Sequence, residues 1–85
     1  MAIKLKSFTN ASERESLDTS GRVYSMLVNG DAISDEDLRK AVRGFDIMIY
    51  GIERLGTRFY LLSSELRRRQ HQLIEFGVAR GIYEY

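Results

Sequence analysis

From Leu38 onward, apolar side chains recur every seven residues. One row reads Leu38, Phe45, Ile52, Phe59, Leu66 and Leu73; a second reads Ala41, Met48, Leu55 and Leu62, is interrupted at Arg69, and resumes at Phe76. A sustained apolar heptad is the seam of a coiled coil or of an antiparallel helical pair. Its start carries capping residues. Ser34 stands at the N-cap, and Asp35, Glu36 and Asp37 fill the first turn, where negative charge favours the positive end of the helix dipole. Ile33 and Leu38 are spaced to close a hydrophobic staple across that cap.

Gly56 followed by Thr57 is the one good breakpoint in this pattern, with Gly56 suited to the left-handed C′ position and Thr57 to the next N-cap. A single helix from Ser34 to Arg80 would be ~70 Å long and could not cover its own stripe, whereas a hairpin could. The spacing therefore predicts two helices, residues 34–55 and 57–80. The unbroken heptad phase across Gly56 keeps one continuous helix as the alternative, in an extensive oligomer.

Upstream, Thr9, Asn10 and Ser12 are candidate N-caps, Glu13 and Glu15 follow, and Leu17, Gly21, Tyr24 and Val28 fall at helical spacing. A helix over residues 11–28, ended by Asn29 and Gly30, is expected; a turn at "DTSG" followed by a strand in "RVYSMLV" is the competing reading. Residues 1–9 alternate Ile3 and Leu5 with Lys4 and Lys6, as a short extended arm with a lysine-guarded edge would. In the tail, residues 81–85, the aromatics Tyr83 and Tyr85 are expected to dock on a neighbour or partner. The whole is an all-α single domain: arm, short helix, then a long coiled-coil-like hairpin. An 85-residue chain has a thin core, which favours assembly as a helical-bundle homo-oligomer, a dimer or higher.

Composition narrows the function. Thirteen basic residues face twelve acidic ones, too even a balance for a dedicated duplex-DNA binder. The chain has no cysteine, which excludes disulfides, thiolate metal sites and cysteine nucleophiles and fits a cytoplasmic location. "MAIKLKSF" lacks the apolar region of a signal peptide, and "IMIYGI" is far too short to cross a membrane, so no membrane partner is expected. No phosphate-binding glycine loop or nucleophile elbow is present. His71 is the only histidine. It stands four residues before Glu75, a common surface pairing, and one histidine does not supply a metal or catalytic set. The acidic clusters sit at helix starts, where capping accounts for them. No enzyme activity, cofactor or metal is expected.

The run Arg67, Arg68, Arg69 looks like a basic patch but is not one. At ~100° per residue it fans around the helix. Arg67 goes to one flank and Arg68 points away from the core. Arg69 intrudes on the seam Leu62, Leu66, Leu73 and Phe76, within reach of Glu65 and beside Gln70. A polar residue on an apolar seam often sets register or oligomeric state. A second face on the preceding helix carries Arg43, Ile47, Tyr50 and Arg54, and the last helix has an outer set that includes Leu61, Ser64, Arg68, His71 and Val78. Tyr and Arg are enriched at interface hot spots. The sequence therefore predicts a non-enzymatic module that binds and modulates, or inhibits, another protein through Arg43, Ile47, Tyr50, Arg54, Arg68 and His71. The alternative is a nucleic-acid or nucleotide-phosphate binder with Arg39, Arg43, Arg54, Arg58, Arg67 and Arg68 lining a groove and Tyr50 or Tyr60 stacking on a base.

Overall fold

Ser34 starts the central helix as its sequence requires. In the computed structural model, which describes residues 11–84 with side chains from residue 14, Ser34 has extended backbone and its Oγ accepts from the Asp37 amide at 3.1 Å. That bond satisfies one of the amides left open in a first turn. Three helices follow one another: α1 (Ala11–Asn29), α2 (Asp35–Glu53) and α3 (Tyr60–Ala79). No strand occurs among the described residues, so the helical reading of residues 11–28 replaces its turn-and-strand alternative. The arm expected at residues 1–9 lies outside the described residues, as does Tyr85.

The hairpin turns where Gly56 allows it. Gly56 adopts a φ of 96°, in the left-handed region that a side chain disfavours, and its amide donates to the Glu53 carbonyl. Two details differ from the sequence reading. α2 stops at Glu53, two residues short of the expected end. Thr57 does not cap α3: a 3-10 turn, Thr57–Phe59, intervenes, and α3 starts after Phe59 without a side-chain cap.

Burial on α2 follows Leu38, Ala41, Gly44, Phe45 and Ile49, the 3.6-residue period of a straight helix, while Met48 and Ile52 of the heptad rows are only half-buried. Phe45, Leu38, Leu73 and Val23 are the largest fully buried apolar side chains. Each contributes about 1.5–3 kcal/mol by leaving water. Ile33 and Leu38 share this core, as the staple requires.

α1 is turned differently from its predicted stripe. Leu17 and Tyr24 are half-buried and Gly21 and Val28 exposed, whereas Ser16, Thr19, Ser20 and Val23 are buried. The reason is close approach. A Cβ added at Gly44 would overlap the backbone carbonyl of Ser16 and lie 3.0 Å from the Ser20 Cβ. Small side chains on both helices let the backbones meet, and the Ser20 hydroxyl needs no partner across the interface because it donates to the Leu17 carbonyl at 2.7 Å.

α2 packs against both other helices, whereas α1 and α3 meet mainly at Tyr24, whose hydroxyl lies 2.8 Å from Gln72 Oε1. Gln70 of α3 donates to the Val42 carbonyl at 3.0 Å and to Asp46 Oδ1 at 2.6 Å, fixing α3 on the opposite flank of α2. Ile82 and Tyr83 of the tail dock within the chain. The Ile82 amide donates to the Gly77 carbonyl at 2.8 Å, and Tyr83 folds back onto Gly77, with both side chains packed on the core. Burial pushes the Tyr83 phenol up from its ordinary range.

The Gly44 contact yields a paired prediction. Gly44→Ala is expected to lower the unfolding free energy by about 1–3 kcal/mol, because the obstructing atom is helix backbone. Gly21→Ala, at an exposed helical position with open space around it, is expected to raise it by about 0.5–1 kcal/mol. Urea denaturation of the two variants checks both signs; unchanged stability of Gly44→Ala would contradict the close approach.

Candidate interaction surface on the central helix

With α1 against the Ala41–Gly44 side of α2 and α3 against its Val42–Asp46 side, one stripe of α2 is left over. It carries Arg39, Arg43, Tyr50 and Arg54, all exposed, and half-buried Ile47. The sequence-predicted set Arg43, Ile47, Tyr50 and Arg54 is thus brought onto one open face. Arg39 belongs to the same stripe, one turn before Arg43. The signal was its four-residue spacing, which the sequence reading used only for phosphate binding. Tyr50 is 58% exposed, and the Arg54 guanidinium lies 5.5 Å from its ring centroid, so the pair presents one cationic, aromatic unit.

Charge pairing separates the arginines into two groups. Arg22 reaches Asp37 at 3.5 Å, Arg67 reaches Glu53 at 2.6 Å, Arg80 reaches Asp35 at 2.5 Å, and Arg68 and Arg69 share Glu65. Lys40 is held at 2.5 Å by Glu15 and at 3.3 Å by Glu36, which raise its pKa in that order of effect. Arg39, Arg43, Arg54 and Arg58 make no ion pair among the described residues. Exposed pairs of the first group contribute little to stability. Their consequence is that those arginines already have an anion, whereas the stripe does not.

The remaining candidates lie on α3. Arg68 and His71 line a shallow depression with Leu61, Ser64 and Ile74, separate from the α2 stripe. His71 Nε2 is 2.6 Å from Glu75 Oε1, the surface pair its spacing suggested. Among the described residues, no three acidic or histidine side chains converge to hold a metal ion. On the seam, Leu73 is fully buried, Leu66 and Phe76 are half-buried, and Leu62 is 47% exposed. Arg69 meets partners inside the chain: Glu65 Oε2 at 3.0 Å and the Tyr24 ring at 5.1 Å from its guanidinium. Sequence spacing identified Glu65. It could not identify Tyr24, because the turn of α1 was not known.

Arg68 and then Arg69, through their hydrogen bonds, hold the Glu65 carboxyl below the usual glutamate range. A lowered folded-state pKa favours the fold above the unfolded pKa, and the benefit is lost as pH falls through the lowered value. An NMR titration of Glu65 is expected to give a midpoint below that of a free glutamate. Arg68→Ala/Arg69→Ala should move the midpoint back up, and an identical midpoint in both proteins would contradict the shared pairing. Comparison of the chain with known proteins finds no matching family model, no matching curated protein and no matching solved structure.

Proposed function

We propose that this chain is a non-enzymatic interaction module that binds and modulates another protein through the open stripe of α2. The observation that carries the reading is the combination of Arg43, Tyr50 and Arg54 on one exposed face, without carboxylate partners among the described residues, beside apolar Ile47. Arginine offers bidentate contacts to carboxylates, and tyrosine adds apolar area at low entropy cost. The partner surface that fits is acidic with an apolar centre. The nucleic-acid alternative loses two of its six arginines, since Arg67 and Arg68 are engaged by Glu53 and Glu65.

Self-association is part of the same proposal. Seven apolar residues are buried among those described, a thin core that a second copy would extend. Leu73 already lies inside the single chain, so the seam residues left to a second copy are the half-buried Leu66 and Phe76.

Purification from native cells followed by mass spectrometry tests the partner. A protein present in stoichiometric amount with the wild-type chain is expected to disappear with Tyr50→Ser/Arg54→Ser while circular dichroism stays unchanged. The same proteins recovered with both chains would contradict the reading. So would a nucleic acid whose binding weakens steeply with salt. Light scattering at micromolar concentration tests self-association: a mass above one chain is expected, and a strict monomer refutes that half.

A further inference from the structure

The hairpin tip concentrates exposed apolar surface that the core does not bury and that the α2 stripe reaches only at Tyr50. Tyr60 is 68% exposed, Leu61 82% and Leu62 47%, and Tyr50 stands one turn before the hairpin at 58%. These are four of the five large apolar side chains that the described residues leave exposed; the fifth, Val28, lies at the far end of α1. Leu55 and Phe59 add half-buried apolar surface to the same tip. Arg54 and Arg58 flank the turn without ion pairs among the described residues, and the only acid between Tyr50 and Leu62, Glu53, is neutralised by Arg67 at 2.6 Å.

We infer that this tip is a contact site for an anionic lipid surface, with Tyr60, Leu61 and Leu62 entering the interface and Arg54 and Arg58 meeting lipid phosphates. Two observations select this occupant. Consecutive helical residues point ~100° apart, so Tyr60, Leu61 and Leu62 span about 200° of the α3 circumference. One flat protein face does not cover that arc, whereas a fluid interface surrounds a projecting tip. The tip does project among the described elements. Ser16 lies against Gly44, so α1, starting at Ala11, begins level with about residue 49 of the antiparallel α2. The turn at Gly56 lies about 10 Å farther along.

The second observation is charge. Arginines beside exposed leucine and tyrosine match the headgroup layer, where aromatic rings and basic side chains settle together. A nucleic-acid strand would use Tyr60 and the arginines but leave Leu61 and Leu62 in water. No helix among the described residues is long and apolar enough to cross a membrane. The contact we infer is therefore one of surface immersion rather than of spanning, and it differs from the sequence-based expectation of no membrane partner. It shares Arg54 with the α2 stripe but does not depend on that stripe binding a protein, because its probe is at residue 61.

The chain contains no tryptophan, so a single introduced indole reports its own surroundings. Leu61→Trp is the probe, and Val28→Trp, exposed at the other end, is the control. Both are mixed with vesicles of phosphatidylcholine alone or with about one-third phosphatidylglycerol. The expected result is a blue shift of the residue-61 indole with the anionic vesicles and none at residue 28. Adding Arg54→Ser/Arg58→Ser to the residue-61 probe should raise the lipid concentration required by about ten- to thirty-fold. The proposal is overturned by an unshifted residue-61 indole or by equal shifts at both positions. It is also overturned by a shift that grows with protein concentration in the absence of lipid, which would assign the tip to a second copy. An oligothymidylate that produces the shift in place of vesicles would assign it to nucleic acid.

Discussion

The meeting of the Ser16 carbonyl with Gly44 decides how α2 is rotated, and the rotation decides which of its side chains remain outside. Backbone contact at that point requires glycine on α2 and small residues, Ser16 and Ser20, on α1. Once they meet, Ala41, Phe45 and Leu38 turn inward, and α3 takes the opposite flank through Gln70. The arc that neither helix covers then holds Arg39, Arg43 and Tyr50, with Arg54 just past the end of α2. The open stripe follows geometrically from a packing contact on the other side of the helix.

The same arrangement sorts the charges. Several carboxylates at the helix starts and on α3 find a cation nearby: Asp35 with Arg80, Asp37 with Arg22, Glu65 with Arg68 and Arg69. A net charge near zero is therefore compatible with a locally basic face, because the balance is reached by pairing in some places and by separation in others. Surface ion pairs of this kind add little stability. What they change is availability, since a guanidinium already bound to a carboxylate has fewer donors left for another anion.

Much of the fold is legible in the sequence because capping and periodicity are local. Ser34 with its acidic first turn, the staple of Ile33 and Leu38, the left-handed glycines after each helix and the break at Gly56 all depend on neighbours a few residues away. The stripe of α2 is legible for the same reason. The turn of α1 is not. Leu17, Tyr24 and Val28 advertise an apolar face, yet serines are buried instead, because the deciding partner, Gly44, is distant in sequence. The contact of Arg69 with Tyr24 depends on that turn and shares its obscurity. The place of Tyr83 is obscure for a related reason: Gly81, with a φ of 83°, reverses the chain and returns Tyr83 to its own helix, a contact that local spacing does not reveal.

The central claim is therefore the orientation of α2, with Gly44 facing α1 and Arg43, Tyr50 and Arg54 facing outward. A nuclear Overhauser spectrum of the isolated chain tests it most directly. The account predicts cross-peaks from the Gly44 Hα protons to the Ser20 Hβ protons, and none from the Tyr50 ring or the Arg43 side chain to α1. Cross-peaks joining Tyr50 or Arg43 to α1, with Gly44 silent, would contradict it.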